Sequence, residues 1–436
     1  VVREQHGKGE AWHPARAPDG VVFCRTTDEV AAVVGLCAEH AVPIVPFGAG
    51  SSLEGQLCCV EGGISIDLTG MNRVLEINAE DLDCRVEAGV TRKQLNSDLR
   101  DLGLFFPIDP GADATLAGMA ATRASGTNAV RYGTMRENVM GLTAVMPDGG
   151  IARFGGRARK SAAGYDLTRL LVGSEGTLGV ITELQLELYG IPEAISAAVC
   201  PFESLGDAVD TVIETIQTGV PVARIELVDE VQMRACIAYS KLENMAPVPT
   251  LFFEFHGSSA GVAEQAETVR AIAAANGGGD FRWTTNAEDR NRLWQARHDV
   301  YWAALGLRPG YKALATDVCV PISALADAIL EAQADIAASG LIAPIVGHVG
   351  DGNFHVQLMI DPDDPEEMRR AQAVNARMVD RALAAGGTCT GEHGVGLGKM
   401  DKVMKEHPTA IPYWRAVKRA LDPKGIMNPG KIFELD

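Results

Sequence analysis

At 436 residues, 47% hydrophobic and 22% charged, the chain has the composition of an ordinary globular protein with material for two or three domains. A net charge of -18 without a Lys/Arg cluster argues against a nucleic-acid partner, although one local Arg can still hold a small anionic substrate. The 9 cysteines show no C-x-x-C spacing and read as reduced thiols, and no apolar run reaches the roughly 18 residues of a membrane-spanning helix. The chain begins at Val1 and not at a Met, which leaves a removed leader open.

In chain order, Thr26 caps a helical pattern through His40, with Val30, Val33, Val34 and Cys37 on one face. A short strand over 42–47 then runs into Gly48-Ala49-Gly50-Ser51-Ser52-Leu53-Glu54-Gly55. Small residues after a strand let backbone N–H groups close on an anion, and serines add hydroxyl donors. The loop is not the dinucleotide fingerprint, because Leu53 stands where the last Gly of G-x-G-x-x-G belongs, and a tight turn is the competing reading. No Walker A is present, since Gly398-Lys399 is followed by Met400.

Strands are predicted over 63–68, 74–77 and 85–90, and Thr91 caps a helix over 92–102. Thr115 caps a helix of very small residues, 116–122, whose surface admits a flat or charged ligand or, on the alternative reading, a closely packed neighbour. A strand near 142–146 and the glycine-rich stretch 173–182 complete the first half. After Pro192 strands at 195–200, 223–227 and 250–255 alternate with helices at 205–217 and 261–276, which suggests an α+β cap over one sheet. Boundaries are expected at 1–193, 194–410 and 411–436, the last segment returning to the first domain.

The stretch with most chemistry is Gly347-His348-Val349-Gly350-Asp351-Gly352-Asn353-Phe354-His355, between two apolar runs. It reads as a hairpin turning at Asp351-Gly352, which sets His348 opposite His355, close enough for one metal ion. Glu392, in Thr390-Gly391-Glu392-His393-Gly394, is the candidate third ligand, and two His with one carboxylate leave open positions on zinc or manganese. Surface histidines in a hairpin are the competing reading. Adjacent residues on an extended segment point to opposite sides, so Glu392 is assigned to the metal and His393 to the substrate. Trp294 and Arg297 share a helical face, and an Arg fork matches a carboxylate. A surface salt bridge is the alternative for Arg297.

Several of these stretches occur together and in order. Pro46-Phe47-Gly48-Ala49-Gly50-Ser51-Ser52, Asp109-Pro110-Gly111-Ala112, Arg131-Tyr132-Gly133 and Ser174-Glu175-Gly176-Thr177-Leu178-Gly179-Val180-Ile181-Thr182 resemble the FAD domain of the vanillyl-alcohol oxidase/p-cresol methylhydroxylase flavoprotein superfamily. The histidine hairpin and Glu392-His393 resemble its D-2-hydroxyacid dehydrogenases, a group with D-lactate, D-2-hydroxyglutarate and glycolate enzymes. The resemblance implies an α+β protein, with a two-subdomain FAD-binding domain of the p-cresol methylhydroxylase (PCMH) type and a cap on a largely antiparallel sheet. It implies FAD with its pyrophosphate on Gly48–Ser52, and contacts from Pro110, Gly111, Ala112, Thr115, Gly118, Ser125, Asn128, Glu175, Gly179, Val180, Ile181 and, near the isoalloxazine, Asn428. No His lies between His40 and His256, so the flavin is expected to be non-covalent. The resemblance assigns the substrate carboxylate to the Trp-x-x-Arg of Trp294 and Arg297, and Asn353 is grouped with them as a substrate contact.

The expected reaction is oxidation of a D-2-hydroxyacid, foremost D-lactate, with His393 as base and the hydride passing to flavin N5. A metal on His348, His355 and Glu392 would act as Lewis acid. D-2-hydroxyglutarate and glycolate are the alternatives within the group; a metal-dependent hydrolase and a binding protein without turnover are the alternatives outside it. No nicotinamide fingerprint is visible, so the expected acceptor is a quinone, a cytochrome or an electron-transfer flavoprotein. A homodimer is an expected assembly. The expected location is the cytoplasm, or the periphery of the inner membrane, or the mitochondrion where a leader has been removed.

Overall fold

Local chemistry delimits the elements much as the sequence suggests. Thr26 accepts the Glu29 N–H and starts the helix Thr27–His40, which buries Val30, Val34 and Cys37 and stops at Ala41 in the left-handed region. Thr91 caps Arg92–Leu99 through the Gln94 N–H. Thr115 occupies the N-cap position of Leu116–Thr122 without a side-chain capping bond. The structure is a computed structural model and describes residues 1–10, 12–242 and 245–435, with Ala296 described by its backbone alone.

The chain divides into two compact units, one of Val1–Gly126, Gly133–Ile191 and Glu392–Asp436 and the other of Thr127–Tyr132 and Pro192–Gly391. Where the sequence reading set the C-terminal return at 411, the first unit resumes at Glu392.

Among the described residues the first unit contains two larger sheets, and Leu104–Phe105 pairs with Tyr189–Gly190 in a two-stranded one. One larger sheet is parallel, with Ile64–Asp67 between Gly20–Phe23 and Ile44–Phe47. The other is antiparallel, in the order Val74–Asn78, Asp83–Glu87, Val180–Glu187, Val139–Val145, Ile151–Gly155. One apolar core serves both and includes Ile44, Ile66, Val86, Leu95, Leu116, Val180 and Leu184, with Ile426 and Met427 from the C-terminal segment. That segment is stitched to the strand Ile44–Phe47 by the Asn428 N–H donated to the Ile44 carbonyl and the Ile44 N–H donated to the Ile426 carbonyl.

The second unit is built on an eight-stranded sheet. Its order is Arg282–Thr284, Ala194–Pro201, Thr250–Gly257, Val222–Val228, Ile345–His348, Asn353–Ile360, Lys312–Ala315, with Val318–Cys319 also pairing to Asn353–Ile360. All these pairings are antiparallel, as expected for the cap. Period-two alternation separates its two faces. One face carries Leu251, Phe253, Phe255, Ile225, Leu227, Phe354, Val356 and Leu358, all buried. Each such side chain contributes roughly 1.5–3 kcal/mol by leaving water.

The opposite face is mixed. Ala197, Val199, Phe252, Val228 and Val346 pack there with Met233, Trp294 and Val300 from the helices Glu230–Ser240, Ala287–His298 and Val300–Leu307. The same face presents Arg224, Glu226, Glu254, His256, His348 and His355, an unusual density of charge for a buried sheet. Buried charge survives only when paired, so this face is where chemistry concentrates. Among the described residues no helix is long and apolar enough to cross a membrane, and no disulfide links the cysteines.

Candidate active site

The strand Ile345–His348 returns as Asn353–Ile360 with His348 opposite Asn353, Gly347 opposite Phe354 and Val346 opposite His355. The expected opposition of His348 and His355 is therefore corrected. A 3-10 turn, Val349–Asp351, and Gly352 at φ +78° lengthen the connection beyond a two-residue turn. A Cβ at position 352 would lie 2.1 Å from the Val320 carbonyl oxygen, so only glycine fits both the conformation and the space. The register differs from the expected one by two residues, and a two-residue slip preserves side-chain parity. His348 and His355 thus stay on one face as diagonal neighbours, their rings edge to face with centroids 5.4 Å apart.

Each imidazole is oriented through Nδ1. The His348 Nδ1–H donates to Glu226 Oε1 at 2.8 Å. The His355 Nδ1–H donates to the Thr316 carbonyl at 3.0 Å, with Asp317 Oδ1 3.8 Å away. Donation from Nδ1 puts the lone pair on Nε2, the arrangement found when a histidine is held ready for a metal by a carboxylate or carbonyl behind it. Asn353 donates its amide to Asp317 Oδ1 at 2.9 Å and to the Val318 carbonyl at 2.8 Å, and Thr390 Oγ1 donates to Asp317 Oδ2 at 2.7 Å. Asn353 thus ties the hairpin to Asp317, and Gly391 passes so close that a Cβ there would lie 2.2 Å from the Asn353 amide nitrogen.

Trp294 and Arg297 do share a buried helical face. Arg297 donates through Nε at 2.9 Å and Nη2 at 2.5 Å to Glu226 Oε2. Burial pushes the Glu226 carboxyl up, but the Arg297 guanidinium and the His348 imidazole outweigh burial and hold it below its ordinary value. The Arg224 guanidinium lies 4.8 Å from the centre of the Trp294 ring, donates to Asn128 Oδ1 at 2.9 Å and approaches Glu254 Oε2 at 3.4 Å. Glu254 Oε1 bonds His256 Nε2 at 2.8 Å, and His256 Nδ1 bonds the Tyr132 hydroxyl at 2.7 Å. Asn128, assigned to FAD by the resemblance, therefore sits in the second unit's segment Thr127–Tyr132 on Arg224.

In the first unit, several of the other cofactor-assigned residues meet. Gly48 lies so close to the start of Leu116–Thr122 that a Cβ there would fall 2.3 Å from Thr115 Oγ1. Gly118 faces the same hydroxyl, and a Cβ at Gly176 would meet the Pro46 ring at 2.9 Å. Pro110, Gly111 and Ala112 lead into Thr115, Ser125 follows the helix, and Gly179 leads into the strand begun by Val180 and Ile181. The Asn428 amide donates to the Glu175 carbonyl at 2.8 Å and the Gln56 carbonyl at 3.2 Å. Burial pushes the Glu175 carboxyl up to about 7, although N–H donors from Val395 and Gly396 favour the anion. Three buried polar atoms here, Ser52 Oγ, Ser174 Oγ and Asn428 Oδ1, have no hydrogen-bond partner among the described residues. Buried polar atoms without partners cost free energy, so a polar ligand at this cradle would satisfy them, and the residues fit FAD.

His393 and Glu392 open the first unit's C-terminal segment, one peptide bond beyond the second unit. The His393 carbonyl accepts the Gln56 amide at 2.9 Å. Its Nδ1 lies 3.9 Å from Glu54 Oε1, which also takes the Lys399 ammonium at 3.1 Å. Glu54 was read from sequence only as part of the glycine-serine loop, and Glu226 and Asp317 were not singled out as site residues. The available signal was charge at alternate positions of an otherwise apolar strand, Arg224-Ile225-Glu226-Leu227 and Phe253-Glu254-Phe255-His256.

Comparison with known proteins identifies the family. The FAD binding domain family matches residues 18–155, and the family of FAD linked oxidases, C-terminal domain, matches residues 191–432. A Danio rerio protein named "Probable D-lactate dehydrogenase, mitochondrial" is 53% identical over 439 residues, spanning 100% of this chain and 88% of its own. An Arabidopsis thaliana protein named "D-lactate dehydrogenase [cytochrome], mitochondrial" is 47% identical over 98% of this chain and 76% of its own. Substrate-bound p-cresol methylhydroxylase shares the fold, with a TM-score of 0.80 at 20% identity over 100% of this chain and 93% of that one. The chain belongs to the FAD-linked oxidase family, with a PCMH-type FAD-binding domain and an α+β cap. Within that family it is a FAD-dependent D-2-hydroxyacid dehydrogenase of the D-lactate dehydrogenase type, an oxidoreductase.

Proposed function

We propose that the chain oxidises D-lactate to pyruvate, with non-covalent FAD, a divalent zinc or manganese ion on His348, His355 and Glu392, and His393 as general base. The observation that carries the site reading is the pair of imidazoles whose Nδ1 positions are both engaged from behind, His348 by Glu226 and His355 by the Thr316 carbonyl. Bound FAD supplies the acceptor for the hydride from C2, and the ion supplies Lewis acidity toward the 2-hydroxyl. His393 takes the hydroxyl proton. Arg297 has five N–H donors, and Glu226 engages its Nε and Nη2 edge, so the substrate carboxylate is assigned to the Nη1 donors. Trp294 buttresses that helix face from within the core.

A monocarboxylate is favoured because Arg297 is the single carboxylate clamp assigned to the substrate; Arg224 is turned to Asn128, Glu254 and the Trp294 ring. The names of the two relatives support the same substrate and, for the Arabidopsis protein, a cytochrome as acceptor. Both names carry the word mitochondrial, which supports that location here.

The test is anaerobic mixing of the purified protein with D-lactate, L-lactate, glycolate and D-2-hydroxyglutarate, each followed at the visible flavin band. Bleaching by D-lactate is the expected result. Bleaching by D-2-hydroxyglutarate or glycolate in place of D-lactate keeps the reaction class and moves the substrate. A flavin-loaded protein bleached by none of them overturns the proposal.

A further inference from the structure

One carboxylate stands between the proposed substrate clamp and the proposed metal ligand. Glu226 is fully buried, and its two oxygens are divided: Oε2 takes both donors of Arg297, and Oε1 takes the Nδ1–H of His348. The backbone enforces this division. Strand Val222–Val228 runs beside Ile345–His348, with Leu227 opposite Gly347, which brings Glu226 alongside His348 on the same face. Helix Ala287–His298 lays Arg297 over that face from above, with Trp294 one turn earlier in the core.

We infer that Glu226 is a positioning residue that sets two properties at once, the orientation of Arg297 toward the substrate carboxylate and the Nε2 lone pair of His348 toward the metal. The inference rests on the site reading above and adds to it a dependence of metal affinity and substrate affinity on one side chain that touches neither.

The chemistry of the amide isostere makes the claim sharp. Glutamine has one acceptor oxygen and one donor NH₂. If the NH₂ faces Arg297, donors oppose donors and the guanidinium is displaced. If it faces His348, Nδ1 becomes the acceptor, the ring proton moves to Nε2, and the lone pair that a metal needs is lost. Neither rotamer serves both partners. Aspartate keeps the charge but is one methylene shorter, so it reaches one partner at the expense of the other.

The experiment uses flavin-loaded wild type, Glu226→Gln and Glu226→Asp, each stripped with chelator and titrated with Mn²⁺ while the electron paramagnetic resonance of the free ion is followed. The visible flavin band reports independently that the flavin domain is intact. We expect Glu226→Gln to bind Mn²⁺ roughly 10–100-fold more weakly, the usual effect of removing a carboxylate behind a metal-bound histidine. We expect the KM for D-lactate to rise at saturating Mn²⁺ in both variants. Should Glu226→Gln fail to accumulate as folded protein, Glu226→Asp carries the same two readouts. Wild type that binds no Mn²⁺ or Zn²⁺ overturns the metal site itself, and this inference with it. Wild type that binds Mn²⁺, beside variants with unchanged Mn²⁺ affinity and unchanged KM, overturns the Glu226 inference alone.

Discussion

The His348 and His355 imidazoles stand edge to face, centroids 5.4 Å apart, each anchored through Nδ1 by a different acceptor. That pairing makes His355→Ala informative, because it removes one Nε2 and leaves the Glu226–His348 bond in place. We expect the variant to keep its yellow flavin, which belongs to the other unit, and to lose bound metal. Turnover should fall on the order of a hundredfold or more, since Lewis-acid stabilisation is worth several kcal/mol. Metal content by elemental analysis, read beside initial rates, is the check. A variant that holds no metal and turns over normally would remove the metal from the reaction.

His393 offers the complementary experiment. Its main chain is tied by the Gln56 amide and its ring lies near the buried Glu54, so truncation of the ring leaves the segment anchored. His393→Ala should retain flavin and metal in full while kcat drops by roughly 10²–10⁴, the usual contribution of a positioned base. A drop confined to KM would reassign His393 from proton transfer to substrate binding.

The flavin cradle depends on a glycine at a close approach. A Cβ at position 48 would lie 2.3 Å from Thr115 Oγ1 and 3.5 Å from Thr115 Cβ. Overpacking of that kind costs about 1–3 kcal/mol. Gly48→Ala should therefore purify with less flavin per chain than wild type. Gly48→Val, which adds two further carbons at the same approach, should lose more flavin than Gly48→Ala. Absorbance ratios at the flavin and protein bands measure both. Equal loading of wild type and Gly48→Ala would contradict the close-approach argument.

Much of this architecture was legible because local signals and the fold agree. Thr26 and Thr91 cap the helices assigned to them, and the helix Leu205–Gln217 has its predicted ends. The hairpin register was not legible, because Asp351-Gly352 reads as a two-residue turn while the carbonyl of distant Val320 crowds Gly352 in a longer one. The face parity of the two histidines survived that error because the slip was even. Glu226 escaped for a different reason. A single Glu in an apolar strand gains meaning only when sheet order puts it beside His348 and a helix 71 residues on puts Arg297 above it. The placement of Asn128 on Arg224 was hidden in the same way, since nothing in its neighbourhood says that Thr127–Tyr132 packs with the second unit.

The last prediction concerns stability and pH. Asp229 caps the helix Glu230–Ser240 by accepting the Gln232 N–H at 2.7 Å, yet burial pushes its carboxyl up to about 7. A raised carboxyl means that between its ordinary value, about 4, and about 7 the native state holds a proton that the unfolded state has released. The native state then binds more protons, so stability falls as pH rises through that window and levels off above it. Asp229→Asn keeps the capping oxygen without the charge. At pH 8 it should be more stable than wild type by about 2 kcal/mol, after allowance for the helix N-terminus, which favours the anion. At pH 5 the advantage should shrink to about a third of that, and it should vanish below about pH 4, where the unfolded chain holds the proton as well. Urea unfolding at the two pH values, followed by far-UV circular dichroism, gives the comparison. An advantage of the same size at both would mean that Asp229 does not titrate in this range and that its cap tolerates the full charge.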